Sequence, residues 1–150
     1  LSRRQRQMCI RDRLSRRLAK ATAQEGLNFS NPASIARYYM EDLRHEKQEH
    51  MKLLMLNSKA KLLGETNISK GTVNASLIPP RELFIEALQK NAVSIIILHN
   101  HPSGDPTPSR EDMLTTKRIL DAGALIGIDL LDHIIIGNNC YMSFREEGML

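Results

Sequence analysis

Apolar and turn-forming residues alternate along most of the chain in a pattern that predicts a mixed α/β protein. Residues 32–44 have helical spacing and begin at a proline, and either Asn31 or Ser30 provides the N-cap. Two strand-like segments follow, residues 51–56 and residues 61–69, with a polar turn between them. This pair of segments predicts a β-hairpin.

A second helix is predicted to start at Pro79-Pro80 and to end near Asn91. Its apolar positions fall on one face, and they are Leu83, Phe84, Ala87 and Leu88. Residues 92–98 are then apolar except for Ser94, which is typical of a strand buried on both faces. Such a strand places His99 at its carboxyl end, where ligand sites of α/β sheets commonly lie.

Ser109 is predicted to be the N-cap of a third helix, which is expected to stop at Gly123. Residues 128–136 and residues 140–144 predict a second hairpin across a Gly-Asn-Asn turn. The order is therefore helix, hairpin, helix, strand, helix, hairpin. That order predicts an α/β fold, an α-β-α sandwich built on one mixed sheet.

The basic charge of the chain is concentrated at its N-terminus. The net charge is +4 over 150 residues, but residues 1–20 carry +7 and the remainder carries −3. We therefore expect residues 1–29 to be a flexible basic tail and residues 30–150 to form the domain. The tail is a candidate for weak DNA contact through phosphate neutralisation. The alternatives are a solvated basic arm, or a segment that is foreign to the natural protein.

No apolar run reaches the roughly eighteen residues needed to span a bilayer, and no export leader begins the chain. We therefore expect a cytoplasmic protein without membrane contact. The two cysteines, Cys9 and Cys140, have no C-x-x-C partner. A disulfide scaffold and a cysteine-ligated zinc site are both disfavoured.

The segment His99-Asn100-His101-Pro102 predicts a metal centre. Its two imidazoles can converge on one ion, and Asp112 adds a carboxylate from the first turn of the helix that follows Ser109. Two nitrogen ligands and one oxygen ligand suit Zn²⁺ held on three corners, with water on the fourth. A coordination position occupied by water instead of protein is typical of catalytic zinc sites, so we expect a zinc hydrolase. The competing interpretation is a capping box, in which Ser109 and Asp112 only satisfy backbone N–H groups.

Hydrolysis at a metal also needs a proton acceptor, and Glu49 is the leading candidate. It comes just before the strand at 51–56. If this strand is antiparallel to the strand at 92–98, its start lies beside the end that carries His99. Glu65, in the second strand of the hairpin, is the alternative.

Together these residues resemble the JAMM, or MPN-plus, metalloprotease domain, whose signature is a Glu upstream of His-x-His-Pro with a Ser and an Asp following. More narrowly, roughly residues 30–150 resemble the RadC family. The segments that carry this resemblance are LHNHPSGDPTPS (98–109), LLDHIIIG (130–137), GTVNAS (71–76) and PRE (80–82).

The resemblance implies that His99, His101 and Asp112 hold zinc. It also implies that Glu49 is the general acid/base and that Ser109 stabilises the oxyanion of a tetrahedral intermediate. The implied fold is the cytidine-deaminase-like α/β sandwich, and the implied substrate is a protein or peptide. Full-length RadC proteins carry an N-terminal helix-hairpin-helix region that is missing here. The chain thus resembles the short members, and that region's DNA-binding role is not carried over.

Two other functions compete with hydrolysis of peptides. A DNA repair or recombination accessory role is supported only by the basic tail, and the six aromatic residues are few for stacking on single strands. A zinc nucleobase deaminase shares the implied fold, but its His-x-Glu and Pro-Cys-x-x-Cys motifs are absent. His133, in an apolar strand, either orients a metal ligand from behind or is a core histidine.

Overall fold

The computed structural model describes residues 2–70 and 79–150. Within these residues, one five-stranded sheet carries helices on both faces. The predicted α-β-α sandwich and both predicted β-hairpins are confirmed. In chain order, the elements are α1 (Arg3–Glu25), α2 (Pro32–Leu43), β1 (His50–Leu56), β2 (Leu62–Lys70), α3 (Pro80–Gln89), β3 (Ser94–Asn100), α4 (Arg110–Ile126), β4 (Asp129–Ile136) and β5 (Tyr141–Ser143).

The strands form a mixed sheet in the order β2-β1-β3-β4-β5. β1 is antiparallel to β2 and to β3, β3 is parallel to β4, and β4 is antiparallel to β5. The parallel pair is joined through α4, because parallel neighbours need a crossover connection. Every residue of β3 is buried, as expected for a central strand covered on both faces.

Alternate residues of the strands enter two separate cores. Leu54 and Ile96 pack with α2 on one side of the sheet, whereas Met51 and Ile97 pack with α3 and α4 on the other. Side chains two apart on a strand share a face. His99, two residues after Ile97, therefore lies on the α4 side of the sheet.

The basic N-terminal segment is helical, which the sequence analysis did not predict. Ser2 and Gln5 form a capping box at the start of α1, and Ala23 is buried near its end. Lys20 of α1 forms an ion pair with Asp42 of α2. The segment has few apolar residues to reveal a helical period, so pattern analysis found no helix there. The flexibility of residues 1–29 and the boundary at residue 30 stay predictions.

The ends of the helices differ in part from the expected ones. The prediction that the third helix stops at Gly123 is wrong, because α4 continues to Ile126 and Gly127 forms its C-cap with φ 77°. Asn31, not Ser30, caps α2 by accepting hydrogen bonds from two backbone N–H groups. Leu88 was predicted to share the apolar face of α3, but it is 53% exposed whereas Leu83, Phe84 and Ala87 are buried.

Three further expectations concern the GTVNAS motif, membrane-spanning helices and the two cysteines. The GTVNAS motif at 71–76 lies outside the described residues. Among residues 2–70 and 79–150, no helix combines the length and the apolar character needed to cross a bilayer. Both cysteines are free thiols, as the lack of a C-x-x-C partner predicted.

Gly123 lies in the last turn of α4, at a position where a side chain has no room. A Cβ atom at this position would lie 2.4 Å from the backbone oxygen of Ile128. Alanine normally favours a helix by about 1 kcal/mol over glycine, but here the clash reverses the sign. We expect Gly123→Ala to lower the free energy of unfolding by about 1–3 kcal/mol. Urea denaturation measures this, with Gly26→Ala, which meets nothing within 4 Å, as the control. Equal stability of the two variants would contradict the prediction.

Candidate metal centre

Three elements bring His99, His101 and Asp112 together. His99 is the penultimate residue of β3, and the backbone N–H of His101 donates to the carbonyl of Ile136 at 2.9 Å, which holds the chain beside β4 just beyond the strand. Asp112 is in the first turn of α4, after the N-cap Ser109. The loop between them turns back through Gly104 at φ 84°. The predicted convergence of these three side chains is therefore confirmed.

The distances between the three side chains match the edges of a coordination polyhedron. His99 Nε2 lies 3.0 Å from His101 Nε2 and 3.3 Å from Asp112 Oδ1, and His101 Nε2 lies 3.3 Å from Asp112 Oδ2. Tetrahedral zinc with bonds of about 2.0–2.1 Å separates its ligand atoms by about 3.3 Å. The described residues thus provide a three-ligand cluster able to hold a metal ion.

Hydrogen bonds also orient the lone pair of His101. The Nδ1 atom of His101 lies 2.8 Å from the backbone oxygen of Asp105. A carbonyl oxygen only accepts, so Nδ1 carries the hydrogen and, in the neutral ring, Nε2 keeps its lone pair. Nε2 is the atom that faces His99 and Asp112. The ring therefore presents a metal-binding nitrogen to the cluster.

A buried chain of hydrogen bonds orients His99 in the same way. Thr116 Oγ1 donates to the backbone oxygen of Asp112 at 2.7 Å, so it accepts from Nδ1–H of His133 at 2.6 Å. His133 Nε2 is then the acceptor for Nδ1–H of His99, at 2.8 Å. This leaves Nε2 of His99 free for a metal. His133 is fully buried and contacts His99 from behind, so the two interpretations of this residue describe the same ring.

Asp112 takes part in the helix cap and in the cluster at once. Its Oδ2 atom accepts hydrogen bonds from Ser109 N–H and Ser109 Oγ–H, each at 2.7 Å. The capping box is therefore fully formed, but Asp112 does more than satisfy backbone N–H groups. Because the other oxygen, Oδ1, faces His99, the cap orients the carboxylate toward the imidazoles instead of excluding a metal role.

The charges of the cluster complement each other. Burial alone would raise the pKa of Asp112, but hydrogen bonds from protonated His101 and His99, together with those from Ser109, outweigh it and hold that pKa well below its usual range. The hydrogen bond to Asp112 raises the pKa of His101, and the charge of Glu49 adds to this. Burial lowers the pKa of His133 well below its ordinary value, so this ring is neutral. The pocket thus attracts positive charge, which suits a cation.

The two candidate proton acceptors lie on different sides of the molecule. Met51 pairs with His99 across β1 and β3, so the half-buried Glu49 stands at the end of the sheet where the cluster is, and its charge acts on His101. Glu65 pairs with Leu54 and accepts a hydrogen bond from Tyr39 on the α2 side. His99 points to the α4 side. Glu65 therefore lies on the opposite face of the sheet from His99.

We expect His133→Phe to weaken zinc binding by about 10–100-fold, because outer hydrogen bonds orient metal-binding imidazoles. Phenylalanine keeps a ring in the buried site but leaves Nδ1–H of His99 without its acceptor. Competition with a chromophoric chelator measures the affinity. Phe144→Leu is the control, since the Phe144 ring stacks on the His133 ring with centroids 4.8 Å apart but offers it no hydrogen bond, and the backbone bond from Phe144 N–H to the His133 carbonyl is kept in the variant. An unchanged affinity in His133→Phe would contradict the prediction.

Thr116 and Asn100 also contribute to this site, although neither was predicted from the sequence. Nothing in the pattern around Thr116 distinguishes it from other helical threonines, and its contact with His133 arises only when α4 packs on β4. Asn100 lies between the two histidines, and no role was predicted for it. Its burial at 1% exposure shows a structural task, and its position inside the motif was the signal that could have revealed it.

Comparisons with known proteins agree with the geometry. Residues 29–149 match the family described as RadC-like JAB domain. A UPF0758 protein of Desulforamulus reducens is 49% identical over 137 residues, which cover 91% of this chain and 60% of the relative. UPF0758 proteins of Clostridium botulinum and Bacillus cereus are 48% and 47% identical over 137 and 135 residues, covering 91% and 90% of this chain. The matched region is 60% of each of these relatives too.

Proposed function

Because this chain belongs to the family of RadC-like JAB domains, we propose that it is a zinc-dependent hydrolase that cleaves peptide or isopeptide bonds. The observation that carries the proposal is the convergence of two Nε2 atoms and one carboxylate within 4.8 Å of one another. Imidazole and carboxylate ligands together suit zinc, and three protein ligands leave a position for chemistry.

In the proposed reaction, His99, His101 and Asp112 would hold the ion. A zinc ion bound there would act as a Lewis acid and would lower the pKa of water to about 7. Glu49 would accept the proton of the attacking water and pass it to the nitrogen of the leaving amine. Its place beside His101 supports this role, since a general base must reach the attacking water.

Ser109 is the proposed donor to the oxyanion of the tetrahedral intermediate. Its hydroxyl hydrogen points to Asp112 Oδ2 at 2.7 Å, so donation to a substrate requires the hydroxyl to rotate. Ser109 is exposed, which leaves space for that rotation. The Asp112 carboxylate would keep its bond from the backbone N–H of Ser109 meanwhile.

The second candidate is a DNA-associated accessory role without peptidase activity. Its support is α1, whose basic side chains are mostly exposed and would neutralise phosphates. The rest of the chain carries −3 and would repel DNA. We therefore prefer the hydrolase and keep the DNA role as the alternative. A cytoplasmic location, which we also propose, is compatible with either function.

The deciding experiment uses the purified chain on internally quenched peptides and on peptides joined through a lysine side chain. We expect cleavage that a chelator abolishes and added zinc restores. In parallel, binding to duplex and single-stranded DNA is titrated at rising salt, where phosphate contacts weaken steeply. Salt-sensitive DNA binding that survives the chelator, with no cleavage of any peptide, would replace the hydrolase with the accessory role.

A further inference from the structure

We propose that Asn100 is a positioning residue that holds the proton acceptor Glu49 beside the metal ligands. This inference rests on the proposed function, since it concerns the same reaction. The side-chain amide of Asn100 binds the backbone on both sides of Glu49. Its Oδ1 accepts from the N–H of His50 at 2.8 Å, and its Nδ2 donates to the carbonyl of Gln48 at 3.0 Å.

These two bonds replace the sheet ladder where it ends. The pairing of β1 with β3 reaches only as far as Met51 opposite His99. Beyond that point residues 46–49 form bends and irregular backbone instead of a strand. Beyond the last backbone pair, the side-chain amide of Asn100 makes the hydrogen bonds that join β3 to the backbone preceding β1. The position of Glu49 therefore depends on this side chain.

Only an amide can make this pair of contacts at this length. It offers one acceptor and a donor in a fixed planar arrangement, whereas a carboxylate would lack the donor and an aliphatic side chain would lack both. Asn100 is 1% exposed, so its polar atoms have to be satisfied by protein groups. Asn100 therefore supplies both groups that this backbone needs, an acceptor for the N–H of His50 and a donor for the carbonyl of Gln48.

The place of Asn100 in the chain gives this contact its functional meaning. It is the residue between the metal ligands His99 and His101, so one short segment sets both the ligands and the proton acceptor. Misplacement of a reacting group by 1 Å can reduce a rate by about 10²-fold. Loss of the amide should therefore affect the chemical step and spare metal binding, because no ligand atom is removed.

The test compares Asn100→Leu, of similar size, with Leu98→Ala, which removes a buried side chain from the same face of the same strand. We expect Asn100→Leu to reduce kcat by about 10–100-fold with KM and zinc affinity nearly unchanged. Leu98→Ala should keep kcat within about threefold at a temperature where it is folded. In a Glu49→Gln background, Asn100→Leu should cost less than about threefold. An equal loss in both backgrounds, or a parallel loss of zinc affinity, would overturn the inference.

A measurement without turnover separates this inference from the proposed function. With Co²⁺ in the site and a ¹³C-labelled Glu49 carboxyl, paramagnetic broadening reports the distance of the carboxylate from the ion. We expect strong broadening in the parent and weaker broadening in Asn100→Leu. Unchanged broadening would refute the positioning role even if the protein cleaves no peptide. If Asn100→Leu does not fold, Asn100→Asp takes its place, because it keeps the acceptor for His50 and loses only the donor to Gln48.

Discussion

Glu49→Gln is expected to reduce kcat by about 10²–10⁴-fold, the usual contribution of a positioned general acid/base. Glutamine has nearly the same size as glutamate but cannot take a proton from water or return one to a leaving amine. Zinc content should stay at the parent level, since Glu49 is not one of the three clustered ligand side chains. Steady-state kinetics with a peptide substrate, together with elemental analysis of the same sample, measure both quantities.

Glu46→Gln is the matched control for this result. Glu46 lies three residues earlier, is exposed, and faces His50 at 3.4 Å instead of the metal cluster. The same charge is removed, so an effect of net charge alone would appear in both variants. Glu65→Gln tests the other candidate proton acceptor. We expect near-parental turnover because Glu65 is on the α2 side of the sheet. Full activity of Glu49→Gln would remove Glu49 from the proposed reaction.

His101→Ala and Asp112→Ala are each expected to abolish zinc retention, which in the parent should be about one ion per chain. Each change removes one of three protein ligands. Zinc that binds only the folded state stabilises it by about 2.7 kcal/mol at a free concentration of 100 Kd. We therefore expect added zinc to raise the melting temperature of the parent and to leave that of both variants unchanged.

The two variants differ in one respect that helps interpretation. Asp112→Ala also removes the cap acceptor for Ser109, which costs about 0.5–2 kcal/mol without any metal, whereas His101→Ala leaves the cap intact. Asp105→Asn is the control, because its exposed carboxylate binds Thr107 and not the cluster. Zinc retained by both alanine variants would show that the metal site lies elsewhere.

The sequence was most informative where one local rule acts within a short segment. Strand β3 was predicted from a segment that is apolar except for Ser94, and the Ser109 cap from its spacing to Asp112. The two hairpins followed from turns between apolar segments. The His-x-His ligand pair and the first-turn carboxylate are likewise local, since a strand end and a helix start orient their side chains in known directions.

The helix boundaries show where local rules were insufficient. Gly123 has the composition of a helix stop, yet α4 passes through it because the Ile128 backbone occupies the space where a side chain would lie. That reason belongs to tertiary packing and not to helix propensity. The position of Leu88 is similar, because whether an apolar residue at the rim of a helix face is covered depends on the neighbouring element.

The sequence by itself therefore determined the order of the elements after α1, the sandwich built on one sheet and the ligand set of the candidate metal centre. Only the tertiary structure showed that Glu65 lies on the face of the sheet opposite to His99, because strand register sets which face each residue occupies. It alone joined His133, 34 residues away in the chain, to His99, and Asn100 to Gln48 and His50. Hydrogen bonds across such separations leave no period or spacing in a sequence, since they form only when strands distant in the chain pair in the sheet.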